Sequence, residues 1–257
     1  MESIRRLYPI ALAAVAAVAL ASCDAIDPTS YEQDGVEYGL DEAGWTLVSA
    51  RAASGDVVVP EAVRGSPVVA VAENAFRESS VESVTLPSSV LRVGEYAFMD
   101  CGSLTTADLG PGVTELPTGA FYGCAALERV ALSDALASVG ENAFYACAGL
   151  AALDLGDRLE TLASRAVNDC DALVRLELPA SLATMGYAAV VSCDGLTDIV
   201  MLGPTPPAVV GSGDAVPAAV TACGSLARVS VPAAAVDAYK AAVGWSVNAS
   251  LIVAIAD

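Results

Sequence analysis

Apolar residues return along this chain in two short groups that recur every 23 positions through its middle. The first group is a six-residue segment: LTTADL, LERVAL, LAALDL, LVRLEL and LTDIVM, opening at Leu104, Leu127, Leu150, Leu173 and Leu196. Its alternation predicts a short strand whose first, fourth and sixth places face inward, leaving the third and fifth to solvent. The second group is an inward pair on the return path: Val90 and Val93, Val113 and Leu116, Leu136 and Val139, Leu159 and Leu162, Leu182 and Met185. Each copy is therefore predicted to have two short extended sides joined by turns rich in Gly, Pro, Ser and Asp.

A third column keeps the same period. Cysteines stand at Cys101, Cys124, Cys147, Cys170 and Cys193, each 23 after the last. Just before them come Ala97-Phe98, Ala120-Phe121, Ala143-Phe144, Ala166-Val167 and Ala189-Val190. An incomplete earlier copy has Ala75-Phe76, Ser79 in the cysteine place and VESVTL. A late copy has Ala219-Val220, Cys223 and LARVSV, displaced by a seven-residue insertion within 203–217. One copy alone buries almost nothing, whereas stacked copies bury a continuous core. At ~4.8 Å per strand, the seven copies would build a sheet of roughly 34 Å. The even count of six repeat cysteines allows disulfides in an exported chain. Equivalent side chains on parallel rungs point the same way, however, and a bridge needs facing Cβ vectors. A ladder of small buried thiols is the expectation.

The stretches VGEYAFMDCGSLTTADL and VGENAFYACAGLAALDL resemble the BspA-type leucine-rich repeat family of bacterial surface proteins. The resemblance extends from about Val57 to Asp257, with Val167 and Val190 replacing the usual Phe in later copies. It implies a mainly β, leucine-rich repeat solenoid with 23-residue rungs. It also implies adhesion to host or bacterial surface proteins as the role.

Solenoid ends need covering. Residues 36–66 alternate apolar and polar places like antiparallel strands with turns at Asp41-Glu42 and Ser54-Gly55, predicting an N-terminal β cap with Trp45 on the end of the core. The solenoid proper is expected over 67–231. Residues 232–257 predict a helix-strand cap: Pro232 starts an alanine-rich helix running to about Val243, Gly244 follows it, and Trp245 and SLIVAI come after.

Composition narrows the functions open to such a scaffold. Hydrophobic residues make up 55% of the chain and aromatics only 5%, which requires an aliphatic core. The 31 acidic residues against 12 basic give a net charge of -19. That excludes nucleic acid as a natural partner, since phosphate binding needs a basic surface. There is no histidine, and Lys240 is the only lysine. The commonest general base and a common zinc ligand are thus missing. The 23-residue cysteine spacing resembles no CxxC pair, so neither metal nor cofactor is expected, and a non-enzymatic role is favoured.

The first residues carry an address rather than a fold. Arg5 and Arg6 precede an apolar stretch from about Leu7 to Ala21, shorter than the ~20 apolar residues of a spanning helix. This fits a secretory signal core. Leu20-Ala21-Ser22-Cys23 resembles the lipobox of bacterial lipoproteins. The resemblance implies removal of residues 1–22, a diacylglycerol thioether on Cys23, and a polar tether over 23–35. The expected location is the bacterial envelope, anchored through lipid.

Two outward columns of the predicted leucine strands form the candidate binding face. One contains Thr106, Arg129, Arg175, Asp198 and Arg228; the other contains Asp108, Asp154 and Glu177. The expected partner is an unidentified host or bacterial surface protein. An envelope glycan is the alternative, although these columns hold no aromatic side chain. Asp154 and Glu177 sit on adjacent rungs, as a carboxylate pair for glycoside cleavage would, but that proximity alone defines no active site. The loop at 203–217 is the one other irregular element.

Overall fold

The computed structural model describes residues 29–211 and 218–255. It is a parallel solenoid whose interior follows the repeat. Leu104, Leu127, Leu150, Leu173 and Leu196 are fully buried, as are Val90, Leu136, Leu159 and Met185 on the return side. The rings of Phe76, Phe98, Phe121 and Phe144 form a continuous stack, with centroids 4.9, 5.0 and 5.7 Å apart. Val167, Val190 and Val220 continue that column.

Each rung has three sides rather than two. The leucine strands and the return strands (Glu115–Leu116, Ser138–Val139, Thr161–Leu162, Thr184–Gly186, Ala208–Val210) are two of them. The third joins Phe144–Tyr145, Val167–Asn168, Val190–Val191 and Val220–Thr221 in a parallel sheet. Earlier rungs make the same ladder from turns: Phe98 N–H donates to the Ala120 carbonyl and Phe121 N–H to that of Ala143, each at 2.9 Å. β-Branched valines suit an extended backbone, so the corner straightens where Val replaces Phe.

Two features hold these corners. Residues on either side of the buried pair adopt positive φ on rung after rung, including Tyr96, Asn142, Arg165 and Ala188 before it and Asp100, Ala146, Asp169 and Ser192 after it. One rung uses Gly119 and Gly123 in these places. The column before the pair also alternates in size: Ala72, Gly94, Pro117, Gly140, Ala163, Gly186. A Cβ on Gly140 would lie 2.6 Å from the Pro117 carbonyl carbon and the Thr118 nitrogen, and Gly94 and Gly186 meet the backbone below them in the same way. Two side chains cannot follow each other here, so every second rung has glycine.

The six repeat cysteines are free thiols, five of them buried and Cys223 partly so. Four of the thiols donate to a carbonyl one rung below at about 3 Å: Cys101 to Phe76 at 3.0 Å, Cys124 to Phe98 at 2.9 Å, Cys147 to Phe121 at 3.1 Å and Cys170 to Phe144 at 3.2 Å. A cysteine here acts as a small hydrophobe that also supplies a weak donor. Burial pushes the Cys147 thiol up to about 12.

The N-terminal cap departs from expectation. β1 (Ser30–Gln33) pairs antiparallel with β2 (Val36–Leu40) through Asp34 and Gly35, whose φ values of 53° and 77° match a type I′ turn. The folded unit therefore begins inside the stretch expected as a tether. β2 pairs antiparallel with β3 (Trp45–Ser49), and Asp41 Oδ1 accepts from the Ala43 and Gly44 amides in the expected turn. From there the pairing becomes mostly parallel. β3 lies beside β6 (Ser66–Val71), and β4 (Ser54–Val58) beside β7 (Ser80–Thr85); the antiparallel exception is β5 (Ala62–Val63) with β6. Ser54-Gly55, expected as a turn, lies within β4 at a register shift, where Gly55 has a φ of 67°. Rung stacking thus starts within the cap, because alternation alone does not set strand direction.

At the other end a short helix, Val236–Ala241, buries Tyr239, and Ile252–Ala254 adds a parallel strand beside Arg228–Val231. Tyr239 Oη donates to the Gly203 carbonyl at 3.0 Å and Trp245 Nε1 to that of Pro207 at 3.1 Å. Because Ala208–Val210 pairs with Thr184–Gly186, the first part of the 203–217 loop belongs to the solenoid. Six of the seven extra residues fall after it, and 212–217 lie outside the described residues.

Candidate leucine-strand face

The face divides into two sheets. Ser54–Val58, Ser80–Thr85, Thr106–Asp108 and Arg129–Ala131 form one; Arg175–Leu178, Asp198–Met201, Arg228–Val231 and Ile252–Ala254 form the other. Between them, 151–155 belong to no strand, although Leu153 and Leu155 stay buried. Ala151 and Ala152 give that segment little β preference.

Register sets out two columns within each sheet. Ser83, Thr106 and Arg129 are neighbours, as are Thr85, Asp108 and Ala131. Arg175, Asp198 and Arg228 share one column; Glu177, Val200 and Ser230 share the next. Thr106 is half-buried, while Asp108, Arg129, Asp154, Arg175, Glu177 and Arg228 are exposed.

Asp198, expected on the exposed face, is 5% exposed. Arg175 Nη1 lies 2.8 Å from its Oδ2, Arg228 Nε lies 3.2 Å from its Oδ1, and Ser230 Oγ donates to Oδ1 at 3.2 Å. A buried carboxylate needs such partners. Asp198 is thus a structural anion, and the two arginines are engaged in holding it. The signal was legible: Arg175 and Arg228 occupy its own column on the rungs either side.

Other charges also carry local duties. Asp108 Oδ1 accepts from the Gly110 amide at 2.9 Å, and Asp154 Oδ1 from the Gly156 amide at 3.0 Å, each closing a turn in which the glycine has positive φ. Glu177 Oε2 lies 3.3 Å from Arg175 Nη2. Among the described residues, Arg129 has no carboxylate within ion-pair distance.

Two shallow depressions collect these residues. One of about 370 Å³ is lined by Thr85, Thr106, Asp108, Arg129 and Ala131. The other, about 480 Å³, lies where the sheet is interrupted and is lined by Ala152, Asp154, Asp157, Val174, Arg175 and Glu177. Asp154 and Glu177 both line it, the first closing a turn and the second facing the Arg175 guanidinium. Cys23, the expected lipidation site, lies outside the described residues.

The comparisons agree with this architecture. No curated protein matches the chain. Among solved structures, a T. pallidum leucine rich repeat protein is 28% identical, with a TM-score of 0.66 over 76% of this chain and 90% of that one. A leucine rich cell surface protein from Faecalibacterium prausnitzii is 15% identical over 90% of this chain and 95% of that one, with a TM-score of 0.42. The BspA type leucine rich repeat region matches residues 69–199 in six copies, just over half of the chain. This protein belongs to the BspA-type leucine-rich repeat family.

Proposed function

We propose that this chain is a non-enzymatic binding protein, anchored to the bacterial envelope through lipid on Cys23, that meets a host or bacterial surface protein through its leucine-strand face. One observation carries the choice of face. Arg129 stands exposed and without an ion-pair partner among the described residues, beside Thr106 and Asp108 at a shallow depression. A free guanidinium on a rigid sheet suits bidentate recognition of a partner carboxylate.

Capture of partners from envelope and host-matrix extracts by the full chain and by Arg129→Glu tests the face. Loss of the partners with Arg129→Glu supports the reading, and retention of every partner sinks it. Anchoring is tested separately: Cys23→Ala should abolish lipid labelling and membrane retention.

Glycan binding remains the second reading because of a pair away from the leucine strands. Tyr122 and Tyr145 are half-buried and stack at 4.4 Å on the third side. Glycan-array binding lost in Tyr122→Ala, with Arg129→Glu unaffected, would favour it.

A further inference from the structure

The N-terminal cap holds a cation against aromatic rings, and neither the repeat nor the proposed face accounts for it. Tyr31 and Trp45 stand 6.4 Å apart between centroids at an interplanar angle of 65°, and Tyr38 lies 6.0 Å from Tyr31. The Arg64 guanidinium carbon sits 5.3 Å from the Tyr31 centroid and 5.9 Å from that of Trp45. Both distances are within the ~6 Å at which a ring quadrupole attracts a cation. Among the described residues Arg64 makes no ion pair.

The way Arg64 is delivered is unusual. Val63 pairs with Ser66, so Arg64-Gly65 is a two-residue hairpin turn, with φ values of 48° and 85°. Such turns favour Asn or Asp at the first place because an ordinary side chain is disfavoured at positive φ. An arginine held there breaks the local sequence rule, and it lies over the aromatic pair. Around it, Ser30, Tyr31, Glu32, Glu37, Tyr38 and Arg64 line an open depression of about 700 Å³. Trp45 is 1% exposed beneath Arg64, and its Nε1 has no acceptor among the described residues.

We infer that Arg64 is an internal occupant of an aromatic cation site, and that withdrawing it admits a quaternary ammonium group. The choice of ligand follows from the lining. The place that Arg64 occupies is walled by the π faces of Tyr31 and of the buried Trp45, where a strongly hydrated cation would lose water without replacing its hydrogen bonds. A trimethylammonium group has no N–H donors to satisfy and is weakly hydrated, and Glu32 and Glu37, which line the adjoining depression, add a favourable field. The site is independent of the leucine-strand face.

The indole N–H resonances of the full chain give the test, with that of Trp45 assigned by its loss in Trp45→Phe. Choline and acetyl-trimethyllysine amide are titrated separately, with uncharged 3,3-dimethylbutan-1-ol as the isosteric control. The Trp45 signal should move saturably with a cation and not with the alcohol, while the Trp245 signal stays fixed and reports an intact fold. Arg64→Ala should bind about two- to fivefold more tightly by removing the internal competitor, and Tyr31→Ala should bind more weakly. The tighter of the two cations identifies a small-molecule or a peptide source. No saturable shift in either the wild type or Arg64→Ala, an equal response to the alcohol, or weaker binding by Arg64→Ala would overturn the inference.

Discussion

The two halves of the leucine-strand face share one repeat and one interior, yet they use their outward charges differently. In the half that ends at Arg129–Ala131, Arg129 has no ion-pair partner among the described residues. In the half that begins at Arg175–Leu178, two arginines and a serine close over Asp198. The interior passes between them without interruption, because the Phe121–Phe144 stack and the Cys147 and Cys170 thiol bonds bridge the gap in the sheet. A repeat constrains what points inward, since each rung must fit the next. It leaves the outward places free, and there neighbouring residues decide between structure and binding.

Matched substitutions in the two halves should break or sharpen this contrast. Leu127→Ala and Leu196→Ala remove equivalent fully buried side chains, and each should cost about 2–5 kcal/mol in urea unfolding. A large disagreement between them would mean the interior is not shared. Gly140→Ala and Gly186→Ala each drive a Cβ into the rung below, and both should lose roughly 1–3 kcal/mol.

Alkaline pH probes the thiol ladder across the gap. The Cys147 thiol is raised by burial to about 12; that of Cys193 also reaches about 12, chiefly through its contact with Cys170 and then by burial. A raised folded pKa means the contribution is fully present below the unfolded value of about 8.5 and fades as pH climbs through the folded value. Stability should therefore decline between roughly pH 9 and 12, at up to about 1.4 kcal/mol per pH unit for each thiol. Cys147→Ala should flatten that slope in unfolding measured across the range, and an unchanged slope would remove the thiol from the account. Smallest of all, Ala146→Gly and Ala188→Gly relieve positive φ and should each raise stability by up to about 1 kcal/mol in thermal unfolding.

The sequence displayed the interior because packing enforced it: Leu104, Val113, Phe98 and Cys101 each recur with a fixed interval and each is buried. The third side shows its period in the Ala-Phe and Cys positions but not its pairing, since turns around Phe98 and Phe121 join rung to rung through backbone bonds. Asp34-Gly35 is a strong hairpin signal, but the polar residues around it read equally as a tether, which hides β1. The parallel pairing of β3 with β6 and of β4 with β7 was not encoded in alternation, which is the same for either direction. On the face, Asp198 looked like one more exposed acid because its burial depends on side chains from two other rungs.

Equilibrium urea unfolding of Arg129→Glu beside Arg175→Glu tests the division of the face most directly. Arg175→Glu sets a second carboxylate against the buried Asp198. It should lose about 2–3 kcal/mol, allowing for the half-exposed guanidinium. Arg129→Glu should stay within about 0.5 kcal/mol of the wild type, as an exposed charge without a structural partner does. Equal losses in the two variants, or a larger loss for Arg129→Glu, would contradict the assignment of one half to structure and the other to binding.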